Sequence, residues 1–143
     1  METSREAIEA LIVTYAERID AGDLPGVAAL FDGAVYRSAQ GGAYHGSRAV
    51  LEVLQQKVIL HADGTPRTKH VTTNLVVEID EAGASATARS YFTVLQATER
   101  LPLQPIVAGR YHDRFVRAAG TWRFADRLIF MDLVGDLSQH LRR

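Results

Sequence analysis

The stretch TKHVTTNLVVEID, residues 68–80, sets His70, Thr72, Thr73 and Asn74 directly in front of the apolar residues Leu75, Val76, Val77 and Ile79. Valine and isoleucine suit a pleated, half-buried strand better than histidine or asparagine, so a polar head on this strand needs a reason. A histidine can supply one. Its ring changes charge near neutral pH and serves as a general base when a carboxylate fixes its tautomer. Asp20 is the matching carboxylate, because it closes the first predicted helix, where the helix dipole disfavours an acid. A bond from one ring nitrogen of His70 to Asp20 would leave the other nitrogen free to take a proton from a substrate. This is the orienting half of a catalytic triad without its nucleophile. The bland alternative is that Asp20 is a solvated residue of the DAGD run and His70 an ordinary strand-end histidine.

Other groups could join that chemistry. Arg127, in WRFADRLIF, stands among Phe124, Leu128, Ile129 and Phe130, so its guanidinium is either paired or holds a substrate oxygen or leaving group. On an alternating strand it shares a face with Ile129 and not with Trp122 or Phe124. Tyr15 sits on the apolar face of the first helix and either presents its hydroxyl inward or merely packs. His112 and Asp113 are neighbours on a predicted strand, so only one of them can face inward. Asn74, Tyr44, Tyr91, His112 and Trp122 are the candidate wall of a substrate pocket. The five histidines show no i, i+4 pair and no HExxH spacing, and neither a phosphate-binding glycine loop nor a GxSxG elbow occurs, so no metal or cofactor is expected.

The elements that must position these groups are legible from period and punctuation. Thr3 and Glu6 form a capping-box pattern ahead of Ile8, Leu11, Ile12, Tyr15 and Ile19, and Gly22 stops that helix. Asp23 then caps a short second helix with Pro25 in its first turn. A short strand around Val35 to Ser38, a turn at Gly41 and Gly42, and a third helix from about Arg48 to His61 capped by Ser47 complete the helical half. From His70 the period becomes two, and turns at DEAG, LPLQP and RAAG divide the rest into strands at about 69–80, 84–96, 106–117 and 121–132. Helices followed by an antiparallel meander describe an α+β fold in which a curved sheet wraps three N-terminal helices, as one domain over residues 1–143. An apolar cavity enclosed by such a cone is the default ligand site. One conflict stands out. His70, Thr72 and Asn74 lie on one face of an ideal strand, while Val71, Thr73, Leu75, Val77 and Ile79 lie on the other. For His70 to face the helices together with Val77, a β-bulge is expected near Thr72 to Asn74. Otherwise the outer face must be covered in an oligomer. The tail GDLSQHLRR is expected to fray or to serve an oligomer contact.

Bulk properties narrow the partners. With 143 residues, 47% of them hydrophobic and 23% charged, the chain has the composition of an ordinary globular protein able to bury a core. A net charge of -1 without a basic stripe argues against nucleic acid. No apolar run is long enough to span a membrane, and the acidic N-terminus is unlike a signal peptide, so a cytoplasmic protein is expected. The absence of cysteine excludes disulfides and thiolate chemistry.

The run YAERIDAGDLPGVAALF resembles the opening of the SnoaL-like, nuclear-transport-factor-two-like superfamily of cone-shaped α+β barrels. HVTTNLVVE and GRYHDRFVRAAGTWRFADR are similar to the branch that holds scytalone dehydratase, bile-acid dehydratase and a dehydrochlorinase. That resemblance implies a base dyad of Asp20 and His70 assisted by Arg127, with Tyr15 at the position of a helix tyrosine. It also implies a homo-oligomer, a trimer ahead of a dimer, built through the sheet's outer face. Ser38 stands where the isomerase branch has its base and cannot abstract a proton, and Tyr15 stands where the dehydrochlorinase has a lysine. The expectation is therefore a cofactor-independent, dehydratase-like lyase acting on a small hydrophobic cyclic substrate. Two alternatives share the fold: a non-enzymatic ligand-binding or assembly module, and an accessory subunit of a ring-hydroxylating dioxygenase.

Overall fold

A computed structural model describes residues 1–143. In chain order the elements are α1 (Ser4–Asp20), α2 (Leu24–Ala29), β1 (Val35–Ser38), β2 (Ala43–His45), α3 (Gly46–Lys57), β3 (Thr68–Asp80), β4 (Ser85–Gln96), β5 (Gln104–Ala118) and β6 (Thr121–Val134). Thr3 caps α1 through the expected reciprocal box with Glu6, and Asp23 caps α2 by accepting from the Gly26 amide. The third helix departs from expectation. It starts at Gly46 behind His45, which offers no side-chain cap, and it ends at Lys57 rather than near His61. No helix is long and apolar enough to cross a membrane.

The six strands form one open sheet in the order β2-β1-β6-β5-β4-β3. The four long strands make the expected antiparallel meander, but β1 runs parallel to β6, so the sheet is mixed rather than wholly antiparallel. That pairing extends the meander with the short β1–β2 ribbon, of which only β1 was visible as a strand in the sequence. The β5–β6 turn is a two-residue link in which Ala119 and Gly120 both adopt positive φ, the geometry that suits the twist of a hairpin.

One apolar cluster fills the space between the helices and the inner sheet face. Ile8, Ile12, Tyr15 and Ile19 recur on one side of α1 and are all buried, each apolar side chain contributing about 1.5–3 kcal/mol. Alternation on β4 is strict, with Ala86, Ala88, Ser90, Phe92, Val94 and Gln96 turned inward. This face holds α1 so that its C-terminal end meets the first residues of β3.

Candidate active site

The polar head of β3 is explained by a bulge. The β3–β4 register shifts between Thr73 and Val76, and Asn74 sits there at φ 54, a left-handed conformation that asparagine tolerates better than most residues. Ahead of the bulge Thr68, His70 and Thr72 point inward; beyond it Val77 and Ile79 do. The extra residue thus puts His70 and the apolar run on one face. Asn74 itself is exposed and serves the backbone, not a pocket wall.

His70 meets Asp20 where the end of α1 packs on the start of β3. The ring Nδ1 lies 2.6 Å from Asp20 Oδ1, and the same carboxylate accepts the His70 amide at 2.8 Å and the Thr68 hydroxyl at 2.8 Å. Side-chain exposure is only 8% for His70 and 11% for Asp20. Burial by itself would raise the Asp20 carboxyl, but the bonds from the His70 ring and amide, the His70 charge and the Thr68 hydroxyl outweigh it and hold the group below its ordinary range. An ionised Asp20 accepts only, so Nδ1 carries the proton. His70 Nε2 makes no hydrogen bond within the protein and is left available.

Arg127 lies deeper. Its side chain is 0% exposed and forms a two-point pair with Asp113, 2.8 Å from Nε to Oδ1 and 3.0 Å from Nη2 to Oδ2. The guanidinium carbon stands 3.6 Å from the Tyr111 ring centroid, 4.3 Å from Tyr15 and 5.1 Å from Phe124. Desolvation works against the charge, yet Asp113 more than compensates and Arg127 holds its proton above the ordinary arginine range. The Tyr15 hydroxyl is 2.7 Å from that of Tyr36, and burial pushes both phenols up, so both stay protonated and one donates to the other. Arg127 shares a face with Phe124 after all, because β6 carries its own bulge: Phe115 pairs with Phe124 and Arg114 with Asp126, leaving Ala125 unmatched.

The predicted residues therefore fall into separate places. Asp20 and His70 come together in one group, Tyr15 and Arg127 in a second. The proposed pocket wall does not assemble. Tyr91 is 53% exposed on the outer face, and His112 is exposed there with its ring against Phe130. Strand alternation turns Asp113 inward and its neighbour His112 out. Trp122 is buried under Arg117 at the other end of β6, and Tyr44 is half-buried on β2 against Gly42. Surface clefts of about 440 and 430 Å³ lie beside the start of α1 and beside His61, Arg67 and Gln139, and neither includes His70 or Arg127.

Three participants were not picked out as site residues in the sequence. Thr68 orients Asp20, Tyr36 bonds Tyr15, and His140 is buried with its ring 6.2 Å from that of His70. The tail, expected to fray or to serve an oligomer contact, instead docks within the chain, where Leu141 forms an isolated bridge with Val58. Leu137 and Leu141, one helical turn apart, were the available sign of docking.

The model of the SnoaL-like domain family matches residues 2–128. Among solved structures, a protein of unknown function from Mycobacterium tuberculosis, Rv3472, is 30% identical over 90% of this chain and 71% of that one, with a TM-score of 0.73. A candidate scytalone dehydratase from Novosphingobium aromaticivorans DSM 12444 is 24% identical, covering 92% of this chain and 86% of that one at a TM-score of 0.73. LinA is 22% identical, covering 94% and 90% at 0.74. These last two likenesses concern the fold. No curated protein matches the sequence.

Proposed function

The chain belongs to the SnoaL-like domain family, and from that premise we propose that it is a cofactor-independent lyase of the dehydratase type. The observation that carries the reading is the 2.6 Å contact between His70 Nδ1 and Asp20 Oδ1, which leaves Nε2 as a free base. An imidazole is a weak base, so the C–H it attacks must be acidified by a neighbouring carbonyl, and the leaving group must sit on the next carbon. A cyclic β-hydroxyketone meets both needs. His70 Nε2 takes the α-proton, and the C–H electron pair enters the carbonyl as an enolate. The enolate re-forms its C=O and expels the β-hydroxyl, which departs as water with the proton His70 took. Arg127, whose Nη1 has no partner, and Tyr15 belong to the deeper group and would assist the departing oxygen only of a substrate that reaches past the dyad to them. Positioned base catalysis contributes roughly 10² to 10⁴-fold, and fixed donors at the developing charge supply more.

A β-hydroxytetralone is a suitable probe, since loss of water gives 1-naphthol and a change in absorbance. His70→Ala is expected to lower turnover at least about 10²-fold while the fold and most ligand affinity remain. Equal rates in variant and parent would remove His70 from the mechanism. The second reading, a ligand-binding module, is favoured by the two surface clefts that do not include the dyad. Its signature is binding of the ketone by the parent protein without formation of naphthol.

A further inference from the structure

The segment after β6 turns back over the dyad and is held there by the backbone. The Gly135 amide donates to Ile106 O at 2.8 Å, the Ile59 amide to His140 O at 2.8 Å and the Arg142 amide to Lys57 O at 2.8 Å. Gln139 O accepts from His61 Nε2 at 2.8 Å and from Gln96 Nε2 at 3.0 Å. These bonds fix the main chain on either side of His140 but leave its ring unused. The side chain is buried, its Nδ1 has no partner, and its ring stands 68° to that of His70. A buried polar atom without a partner costs free energy, and a ligand group is one explanation for keeping it.

We propose that His140 is a second catalytic histidine of this site, donating a hydrogen bond from its imidazole to the substrate's carbonyl oxygen while His70 removes the adjacent proton. The proposal rests on the dehydratase reading above. The family match ends at residue 128, short of this segment, and assigns it no role. The ring centroids stand 6.2 Å apart, so a ligand bonded to His70 Nε2 from the side of the tail would also reach the His140 ring. The titratable groups acting on His140 are Asp20 from α1, His70 from β3 and His61 from the loop after α3. Burial, then the charge of His70, push His140 down to about 4, with His61 adding to the shift and Asp20 opposing it. Near neutral pH the ring is therefore uncharged. An uncharged imidazole N–H can stabilise an enolate oxygen without placing a second cation beside the base. As the α C–H bond breaks, its electrons reach the carbonyl oxygen and the proton goes to His70; His140 gives up no proton of its own.

Long-range proton–nitrogen NMR of the imidazoles, with 1-naphthol titrated into the full chain, tests this. Naphthol is the expected product and carries its oxygen where the enolate forms. It should shift the ring nitrogens of both His70 and His140. His140→Phe, which keeps the ring volume, should weaken binding about 10-fold or more, and His140→Gln, which restores a donor, should stay within about 3-fold of the parent. Shifts at His70 alone, with parent affinity in His140→Phe, overturn the role of His140 and leave the dyad standing. Shifts at His140 alone overturn the dyad reading instead and keep His140 as a ligand contact. If neither ring responds, both assignments fall. Folding of each variant is read from its amide spectrum, and a poorly folded His140→Phe leaves the decision to the two ring responses in the parent protein.

Discussion

Replacing Asp113 by Asn should cost about 3–5 kcal/mol of unfolding free energy, because it strips a fully desolvated guanidinium of its counter-charge. Both side chains of the pair are 0% exposed, so no water can take over the lost bonds. The new amide keeps one acceptor oxygen but turns an NH2 toward the guanidinium donors, and two bonds of 2.8 and 3.0 Å become one at best. What remains for the cation are the faces of Tyr111 at 3.6 Å and Tyr15 at 4.3 Å. A desolvated cation–π contact is worth about 2 kcal/mol, which limits the loss without cancelling it. The control is the double variant Asp113→Leu with Arg127→Met, which removes both charges and keeps apolar volume. It should recover most of the lost stability, since apolar replacements of buried ion pairs are often neutral or better. Urea denaturation of the parent, the single variant and the double variant, extrapolated linearly to water, gives the three free energies. A single-variant cost below about 1 kcal/mol would refute the argument, because the pair would then not be desolvated. So would a double variant no more stable than the single. A double variant that is stable but inactive would locate the contribution of Arg127 in function and not in folding.

Two further outcomes follow from the same geometry. His140 should make stability fall with acid before the carboxylates do: its ordinary value of 6.5 drops to about 4 in the fold. The fold therefore disfavours its proton, so the contribution is complete above about pH 6.5 and disappears as pH falls to about 4, a loss of about 3 kcal/mol. The Asp20 contribution is also lost on acidification, but only below that carboxyl's ordinary 3.8, so the windows are separate. In urea titrations His140→Phe should lack the upper component, and parallel curves for parent and variant would overturn the assignment. At the bulge, Asn74→Val should cost about 1–2 kcal/mol because a β-branched residue resists positive φ, whereas Asn74→Gly should be nearly neutral. A thermal midpoint that Val leaves unchanged would mean that the bulge does not depend on residue type.

How much was legible in the sequence depends on the range of the signal. The Thr3–Glu6 box, the Asp23 cap and the turns between long strands act over a few residues and were visible as such. The bulge in β3 was visible for a different reason: a conflict of parity between His70 and Val77 called for either an extra residue or a covered outer face, and the structure has the extra residue. On β6 the same kind of conflict, between Phe124 and Arg127, was noticed but not resolved, because Ala125 carries no conformational mark. The parallel β1–β6 pairing left no local trace, since Val35 and Asp126 meet only through tertiary packing. Aromatic and histidine residues on strands were read as pocket wall by type, whereas alternation sends Tyr91 and His112 to the outer face. His140 was unreadable because its importance is a matter of where the tail docks.

The two bulges have one physical consequence. Without the extra residue at Asn74, strict alternation would turn His70 out wherever Val77 and Ile79 turn in, and the dyad could not form on a strand that also packs. Without the extra residue at Ala125, Arg127 would leave the interior whenever Trp122 and Phe124 occupied it. Each irregularity thus lets a polar group share a face with the apolar residues that stabilise its strand. Polar groups on the buried side also leave atoms without a partner: Arg127 Nη1 on bulged β6, and elsewhere Ser90 Oγ and Gln96 Oε1 on the inner face of β4 and His140 Nδ1 in the tail. Each weakens the fold relative to an apolar side chain of similar size. A core shaped for packing alone would use Val or Leu at these inward positions, as it does at Val77 and Val94. Three of these four atoms lie on the sheet face that also carries His70, which is consistent with the polar ligand proposed above.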